Sequence, residues 1–202
     1  MIGLNFSQSP QLSEPEIELN MEFKQQIQVL KAYKADRQHL ADQILSNKEL
    51  FPILIDYCFS GDPEIDKRSC WVLEYVCIAK LSWLHPYLKT FIKQLPLLSN
   101  KSSKRCCARI CMQLCQQYFI HKDEATIKAL SRINLEKLTA VNFDWLIYTE
   151  KVATKAYAME SLHLLGRAFK WVHPELKVIL HRGIPDHTMA YTARARHILN
   201  KI

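Results

Sequence analysis

Residues 62–77 read DPEIDKRSCWVLEYVC, and residues 83–89 read WLHPYLK. Asp62 can accept hydrogen bonds as a helix N-cap, and Pro63 fits the first helical position, where its missing N–H is not needed. The residues that follow are mainly apolar, as in a helix buried by its neighbours. The stretch therefore predicts one helix, a short link, and a second helix that begins at Pro86.

This two-helix pattern returns later in the chain. Residues 171–177 read WVHPELK and match residues 83–89, so that Trp171 lies 88 residues after Trp83. The offset corresponds to about two units of the ~40–47 residues typical of helical repeats. Short links between paired helices favour antiparallel neighbours. We therefore predict an all-α fold, a right-handed superhelical solenoid of antiparallel helix pairs.

The N-terminal segment differs from the rest of the chain. Residues 1–20 contain three glutamates, no lysine or arginine, and little helical periodicity. We predict a disordered tail over 1–20 and a single α-helical repeat domain over 21–202. Helices are predicted to begin near 21, 36 and 47 and to span 64–79, 86–98, 102–118, 123–132, 135–147, 150–169, 174–181 and 188–201.

Composition supports a helical protein of the cytoplasm. Hydrophobic residues make up 49% of the chain, and only four glycines are present, which argues against a turn-rich β fold. No apolar run reaches the ~18 residues that span a membrane, and no basic flank with an apolar segment predicts a secretory signal. The seven cysteines lie within helical patterns, which predicts reduced thiols and a cytoplasmic location.

Basic residues are concentrated in two parts of the sequence. No acidic residue lies between Tyr75 and Lys122, and the segment from Ser161 onward has a net charge of +5. Such asymmetry marks either a solvated basic face or a surface for phosphates or an acidic partner. The candidate binding residues are Lys89, Lys93, Lys104, Arg105, Arg109, Arg194 and Arg196.

The sequence resembles HEAT repeats at residues 62–69, where Asp stands at the turn and Arg follows within two helical turns. Looser matches lie at 102–106 and 152–156. The resemblance covers about residues 48–202 and implies a HEAT/ARM-like α-α superhelix.

Longer phrases resemble a family of short helical bacterial proteins often labelled adenylosuccinate lyase. True lyases of that superfamily carry a Gly-Ser-Ser-x-Met-Pro-x-Lys-x-Asn loop, and none of the four glycines here is followed by Ser-Ser. The resemblance therefore implies a helical family but no lyase residue. The phrases that carry it are CWVLEYV (70–76), FDWLI (143–147), EKVATKAY (150–157), HPELK (173–177) and ARARHIL (193–199).

Two carboxylates are candidate catalytic groups. Glu74 lies on an apolar helix, where burial can raise a carboxylate pKa and suit it to acid–base chemistry. Its alternative is a structural role, either facing the concave edge of the repeat or in an ion pair with an arginine such as Arg68 or Arg109. Asp144 adjoins Trp145, and some HEAT-like DNA glycosylases use an Asp and aromatic residues beside a basic groove. The alternative for the tryptophans is packing between helices.

Cysteines and histidines do not combine into a predicted metal site. Cys107, Cys111 and Cys115 form one helical stripe that spans about 12 Å, too far for one ion, and core packing is the favoured interpretation. His85 and His173 each precede a proline and are expected to cap a helix or contact a neighbouring repeat. No metal and no cofactor is predicted.

Three functions remain open from the sequence. The first is a non-enzymatic helical-repeat module that binds a macromolecular partner, either an acidic protein or a nucleic acid. The second is a nucleic-acid-processing enzyme of the HEAT-like glycosylase type, which requires the clustered basic residues to share a groove with Asp144 and a tryptophan. The third is adenylosuccinate cleavage, as the family label suggests.

Overall fold

The protein is all-α, as the sequence predicts. The computed structural model describes residues 14–148 and 150–202, and within these ranges it contains eleven α-helices and no β-strand. Short 3-10 segments cover Leu81–Tyr87 and Leu95–Leu97, and a π-helical turn covers Gln117–His121. The helices are α1 (Glu14–Val29), α2 (Lys34–Ser46), α3 (Leu50–Cys58), α4 (Pro63–Ala79), α5 (Leu88–Gln94), α6 (Lys101–Gln116), α7 (Glu124–Ala129), α8 (Arg132–Ile147), α9 (Val152–Leu165), α10 (Val172–Gly183) and α11 (Met189–Leu199).

Helix α1 begins before the domain boundary expected at residue 21. Its first residue is Glu14, and the hydroxyl of Tyr57 donates to the backbone carbonyl of Asn20 at 3.1 Å. In the following turns of the helix, the side chains of Phe23 and Ile27 are buried in the core. The boundary predicted at residue 20 thus falls inside α1, and the part of the predicted tail over 1–13 lies outside the described residues.

Helix α4 begins as the sequence predicts. The Asp62 carboxylate accepts from the backbone N–H groups of Glu64 at 2.9 Å and Ile65 at 3.2 Å, and Pro63 occupies the first turn. Gly61 has a φ of +86°, a left-handed conformation that favours glycine. These contacts satisfy backbone donors that a helix start leaves free.

The link after α4 differs from the prediction. Pro86 lies inside the 3-10 segment, and α5 begins two residues later, at Leu88. Proline has no N–H to donate and its ring fixes φ, so it suits an irregular helical turn as well as the first position of an α-helix.

The hydrophobic core lies along three central helices. Helix α4 packs against α2, α3 and α6, while α6 also packs against α9. Helix α9 in turn contacts α8, α10 and α11. Leu73, Ile110 and Leu162 are among the fully buried side chains of the central helices. The faces of α4 and α6 that point away from this core are therefore free to carry polar groups.

The cysteines belong to this core. All seven are buried as free thiols, which confirms the prediction of core packing for Cys107, Cys111 and Cys115. The Sγ atoms of Cys70 on α4 and Cys107 on α6 lie 3.9 Å apart. Small polarisable side chains thus allow α4 and α6 to approach closely.

No helix in the described part of the chain combines the length and the apolar character needed to cross a lipid bilayer.

The Asp62 cap gives a test of the local fold. Replacing Asp62 with Ala should lower the free energy of unfolding by about 1 kcal/mol, because two backbone N–H groups of α4 lose their acceptor. Urea denaturation measures the change. Asp62→Asn is the matched control, since the Asn side chain also accepts at an N-cap, and it should retain most of the stability. Equal losses in both variants would show that the charge, and not the cap, is what matters.

Candidate anion-binding site

A polar cleft lies where α2, α4 and α6 meet. Its volume is about 360 Å³, and it opens to solvent on the side of α4 and α6 that faces away from the core. We call it the arginine cleft. The lining residues are Arg37 from α2, Trp71, Glu74 and Tyr75 from α4, and Ser102, Arg105 and Arg109 from α6.

Helical periodicity explains why these side chains share one face. On α6, Ser102, Arg105 and Arg109 are separated by three and four residues, which places them above one another on the same side of the helix. The opposite side carries Cys107 and Leu114, which are fully buried. Burial of the apolar side thus orients the arginines toward the cleft.

Glu74 joins α4 to α6 through a buried ion pair. Its residue is 1% exposed, and its Oε1 and Oε2 accept from Nη1 and Nη2 of Arg105 at 3.0 and 2.7 Å. Nη1 of Arg109 donates to the same Oε1 at 3.1 Å. The pair with Arg109 was one of the alternatives for Glu74, whereas Arg68 contacts Glu64 instead, at 3.2 Å. Two-point contact between a guanidinium and a carboxylate fixes the orientation of the two groups as well as the distance between them.

The ion pair keeps Glu74 ionised. Burial alone raises the pKa of Glu74, but hydrogen bonds from Arg105, Cys106 and Arg109 outweigh it and hold the pKa below its ordinary value. Burial of Arg105 acts to lower its own pKa, and the bond to Glu74 reverses this and raises it. Three guanidinium groups and one carboxylate line the arginine cleft, which leaves a net charge of +2.

Two aromatic rings form the wall of the arginine cleft on the α4 side. Trp71 and Tyr75 are partly buried, each packed against the core and partly open to solvent. The Trp71 indole N–H donates to the Ser102 hydroxyl at 2.9 Å. The Arg37 guanidinium carbon lies 5.7 Å from the Trp71 ring centroid and 5.6 Å from that of Tyr75. Trp71 therefore packs between helices, which is one of the two interpretations of the tryptophans, and it also presents part of its ring to the arginine cleft.

Of the seven predicted binding residues, the structure brings only Arg105 and Arg109 into the arginine cleft. Lys104 pairs with Glu150 at 2.6 Å, and Arg194 lies 3.6 Å from Glu160. The other predicted residues, Lys89 and Lys93 on α5 and Arg196 on α11, are exposed and do not line the arginine cleft.

The predicted catalytic candidates are placed apart. Asp144 is exposed on α8 and does not line the arginine cleft, while the adjacent Trp145 is 3% exposed and packs in the core. Glu74 lines the arginine cleft, with both carboxylate oxygens bound by guanidinium groups. The two carboxylates therefore do not form one site.

Sequence reasoning did not identify Arg37, Tyr75 or Ser102 as site residues. Tyr75 stands four residues after Trp71, and Ser102 stands three residues before Arg105, so helical spacing was a usable signal for both. Arg37 belongs to a different helix, and its position over the two rings depends on how α2 packs against α4.

The two histidines before prolines contact neighbouring segments, as the sequence suggests. His85 Nε2 and the Thr126 hydroxyl are 3.1 Å apart, and His173 Nε2 is 2.8 Å from the carbonyl oxygen of His163. Burial lowers the pKa of His85, against the opposing effect of Asp123. Both histidines thus have a packing role outside the arginine cleft.

Comparison of the chain with models of protein families finds no match, and comparisons with curated proteins and with solved structures find none.

Neutralising Glu74 tests the buried ion pair. Glu74→Gln should lower the free energy of unfolding by about 3 kcal/mol at pH 7, because two guanidinium groups lose their counter-charge. The folded-state pKa of Glu74 lies below its ordinary value, so its contribution is present above the ordinary pKa and is lost as the pH falls through the folded value. Urea denaturation at neutral and acidic pH should show the difference between the proteins shrinking in acid.

Glu136→Gln is the control for this experiment. Glu136 pairs with Arg132 at 3.4 Å, and its side chain is 54% exposed. An exposed pair of this kind should change stability by no more than about 0.5 kcal/mol. A loss in Glu74→Gln that persists undiminished at acidic pH would contradict the assigned ion pair.

Proposed function

We propose that this chain is a non-enzymatic helical-repeat binding protein whose arginine cleft holds an acidic segment of another macromolecule. The observation that carries the proposal is the cleft itself, which contains three guanidinium groups and one ion-paired carboxylate, with a net charge of +2. Phosphates and carboxylates are the ligands that paired arginines bind with two-point geometry.

The order of helix packing supports a HEAT/ARM-like solenoid as the framework. Helices α2, α4, α6, α9 and α11 contact one another in succession, and α3, α8 and α10 pack against this row from other positions. A row of successive helices forms one long surface in repeat proteins, and such surfaces bind extended partners. We propose a right-handed superhelix in which the arginine cleft lies on this row.

Preorganisation supports binding of an anion at the arginine cleft. Glu74 fixes Arg105 through two hydrogen bonds and Arg109 through one, so that both guanidinium groups are already oriented in the free protein. A ligand that meets oriented side chains loses less conformational entropy on binding. The Arg109 side chain is 39% exposed and thus accessible to a ligand.

Catalysis is less well supported by the same geometry. A glycosylase-type mechanism needs a carboxylate beside the target base, and the Glu74 oxygens are occupied by guanidinium groups. Asp144 is exposed outside the arginine cleft. The presence of Trp71 beside two arginines is the one observation that favours this second candidate. For adenylosuccinate cleavage, a direct spectrophotometric assay of the purified protein is expected to show no turnover.

Paired charge removal tests the proposed function. Arg37→Gln with Arg109→Gln lowers the charge of the arginine cleft by two and leaves Arg105 to neutralise Glu74. We expect this double variant to bind an oligothymidylate, or a polyglutamate of equal charge, about tenfold more weakly than the unmodified protein at low salt. If phosphates are the ligand, the slope of log affinity against log salt should fall by about 1.4, for two lost contacts.

Lys89→Gln with Lys93→Gln is the matched control. It removes the same charge from exposed residues of α5 that do not line the arginine cleft. We expect a clearly smaller loss of affinity, since screening weakens charges that do not touch the ligand. Equal losses in the two double variants would contradict a localised site, and so would the absence of binding to both polyanions by the unmodified protein.

A further inference from the structure

We propose that the ligand of the arginine cleft is a single-stranded nucleic acid, with bases stacked on Trp71 and Tyr75 and a phosphate held by Arg109. This inference rests on the proposed function and goes further, because it names the class of partner. Its basis is the combination in one cleft of partly open aromatic rings and oriented guanidinium groups.

The spacing of the rings suits consecutive flat groups. Trp71 and Tyr75 are four residues apart on α4, which separates them by about 6 Å along the helix axis. Both rings are partly open on the side of the arginine cleft, and Trp71 is held in place by its hydrogen bond to Ser102. Anchored aromatic faces of this kind are the platforms on which unpaired bases stack.

Arg37 marks the faces on which bases would stack. Its guanidinium is a flat cation that lies over both rings, at 5.7 and 5.6 Å from their centroids. It is partly exposed, and its Nε donates to the carbonyl oxygen of Tyr33 at 3.3 Å. A base that displaces this guanidinium can stack on the same ring faces. The displaced Arg37 side chain can then pair with the neighbouring phosphate.

Arg109 is the phosphate-binding arginine. Arg105 uses both terminal nitrogens on Glu74, whereas Arg109 donates to Glu74 through Nη1 alone. The Arg109 side chain is also more exposed, at 39% against 22% for Arg105. Arg105 therefore acts as a positioning residue that holds Glu74 and the local helix geometry, and Arg109 presents donors to the ligand.

Other polyanions fit this arrangement less well. An acidic peptide would use the arginines and leave the aromatic faces without a role. A duplex keeps its bases paired and stacked, so that Trp71 and Tyr75 could not reach them. An unpaired strand is the polyanion that can use both the charge and the rings.

The first experiment uses the unmodified protein. Fluorescence anisotropy should show that oligothymidylate binds about tenfold more tightly than an abasic strand of the same length and charge, since only the former can stack. A polyglutamate of equal charge and a duplex should also bind more weakly. Equal affinity for the thymidylate and abasic strands would overturn the inference, as would tighter binding of the polyglutamate or of the duplex.

Removing the two aromatic rings tests whether the preference for oligothymidylate arises in the arginine cleft. Trp71→Leu combined with Tyr75→Leu should abolish the preference for oligothymidylate over the abasic strand, because the variant has no ring on which a base can stack. Trp171→Leu is the control, since Trp171 is 55% exposed outside the arginine cleft. Loss of thymidylate preference in the control, or its retention in the ring variant, would also overturn the inference. The strand comparison decides the matter even if the ring variant does not fold.

The outcomes separate this inference from the proposed function. If the thymidylate and abasic strands bind with equal affinity, and both affinities fall in the Arg37→Gln, Arg109→Gln variant, the arginine cleft binds polyanions but does not stack bases. If the unmodified protein binds none of the polyanions, the proposed function itself fails.

Discussion

The two-point ion pair between Glu74 and Arg105 is the interaction on which the arginine cleft depends. It connects α4 to α6 at a place where one side of each helix is buried and the other is polar. A carboxylate that is 1% exposed is stable only when its charge is compensated, and the two guanidinium groups provide that compensation. The same charge compensation orients the guanidinium groups of the two arginines. An interaction that stabilises the fold therefore also produces an oriented cationic surface.

Close approach of the two helices makes this pair possible. Cys70 and Cys107 meet across the same interface with their Sγ atoms 3.9 Å apart, and Cys70 directly precedes Trp71, which lines the arginine cleft. Larger side chains at these positions would separate α4 from α6, since packed interiors do not accommodate extra volume without strain. The small thiols thus contribute to the geometry of the polar side from within the core.

The features that could be predicted from the sequence are those that depend on residue type and spacing along one helix. The Asp62 cap follows from residue type and spacing. Arg109 was one of two partners considered for Glu74, whereas Arg105, which makes the two-point contact, was not among them. The sequence did not predict Arg37, because the contact of α2 with α4 depends on tertiary packing. Lys89 and Lys93 were grouped with the arginines because they are near in sequence, but they belong to a different helix outside the arginine cleft.

Sharing one carboxylate between two arginines imposes an order on how this site can change through evolution. Arg109 can be lost first, because Arg105 alone still satisfies both Glu74 oxygens. Loss of Arg105 first would leave the buried carboxylate with one ion pair, through a single hydrogen bond from Arg109. In proteins that lose this ion pair during evolution, we therefore expect a substitution at position 109 before one at position 105. Position 74 should change only together with position 105.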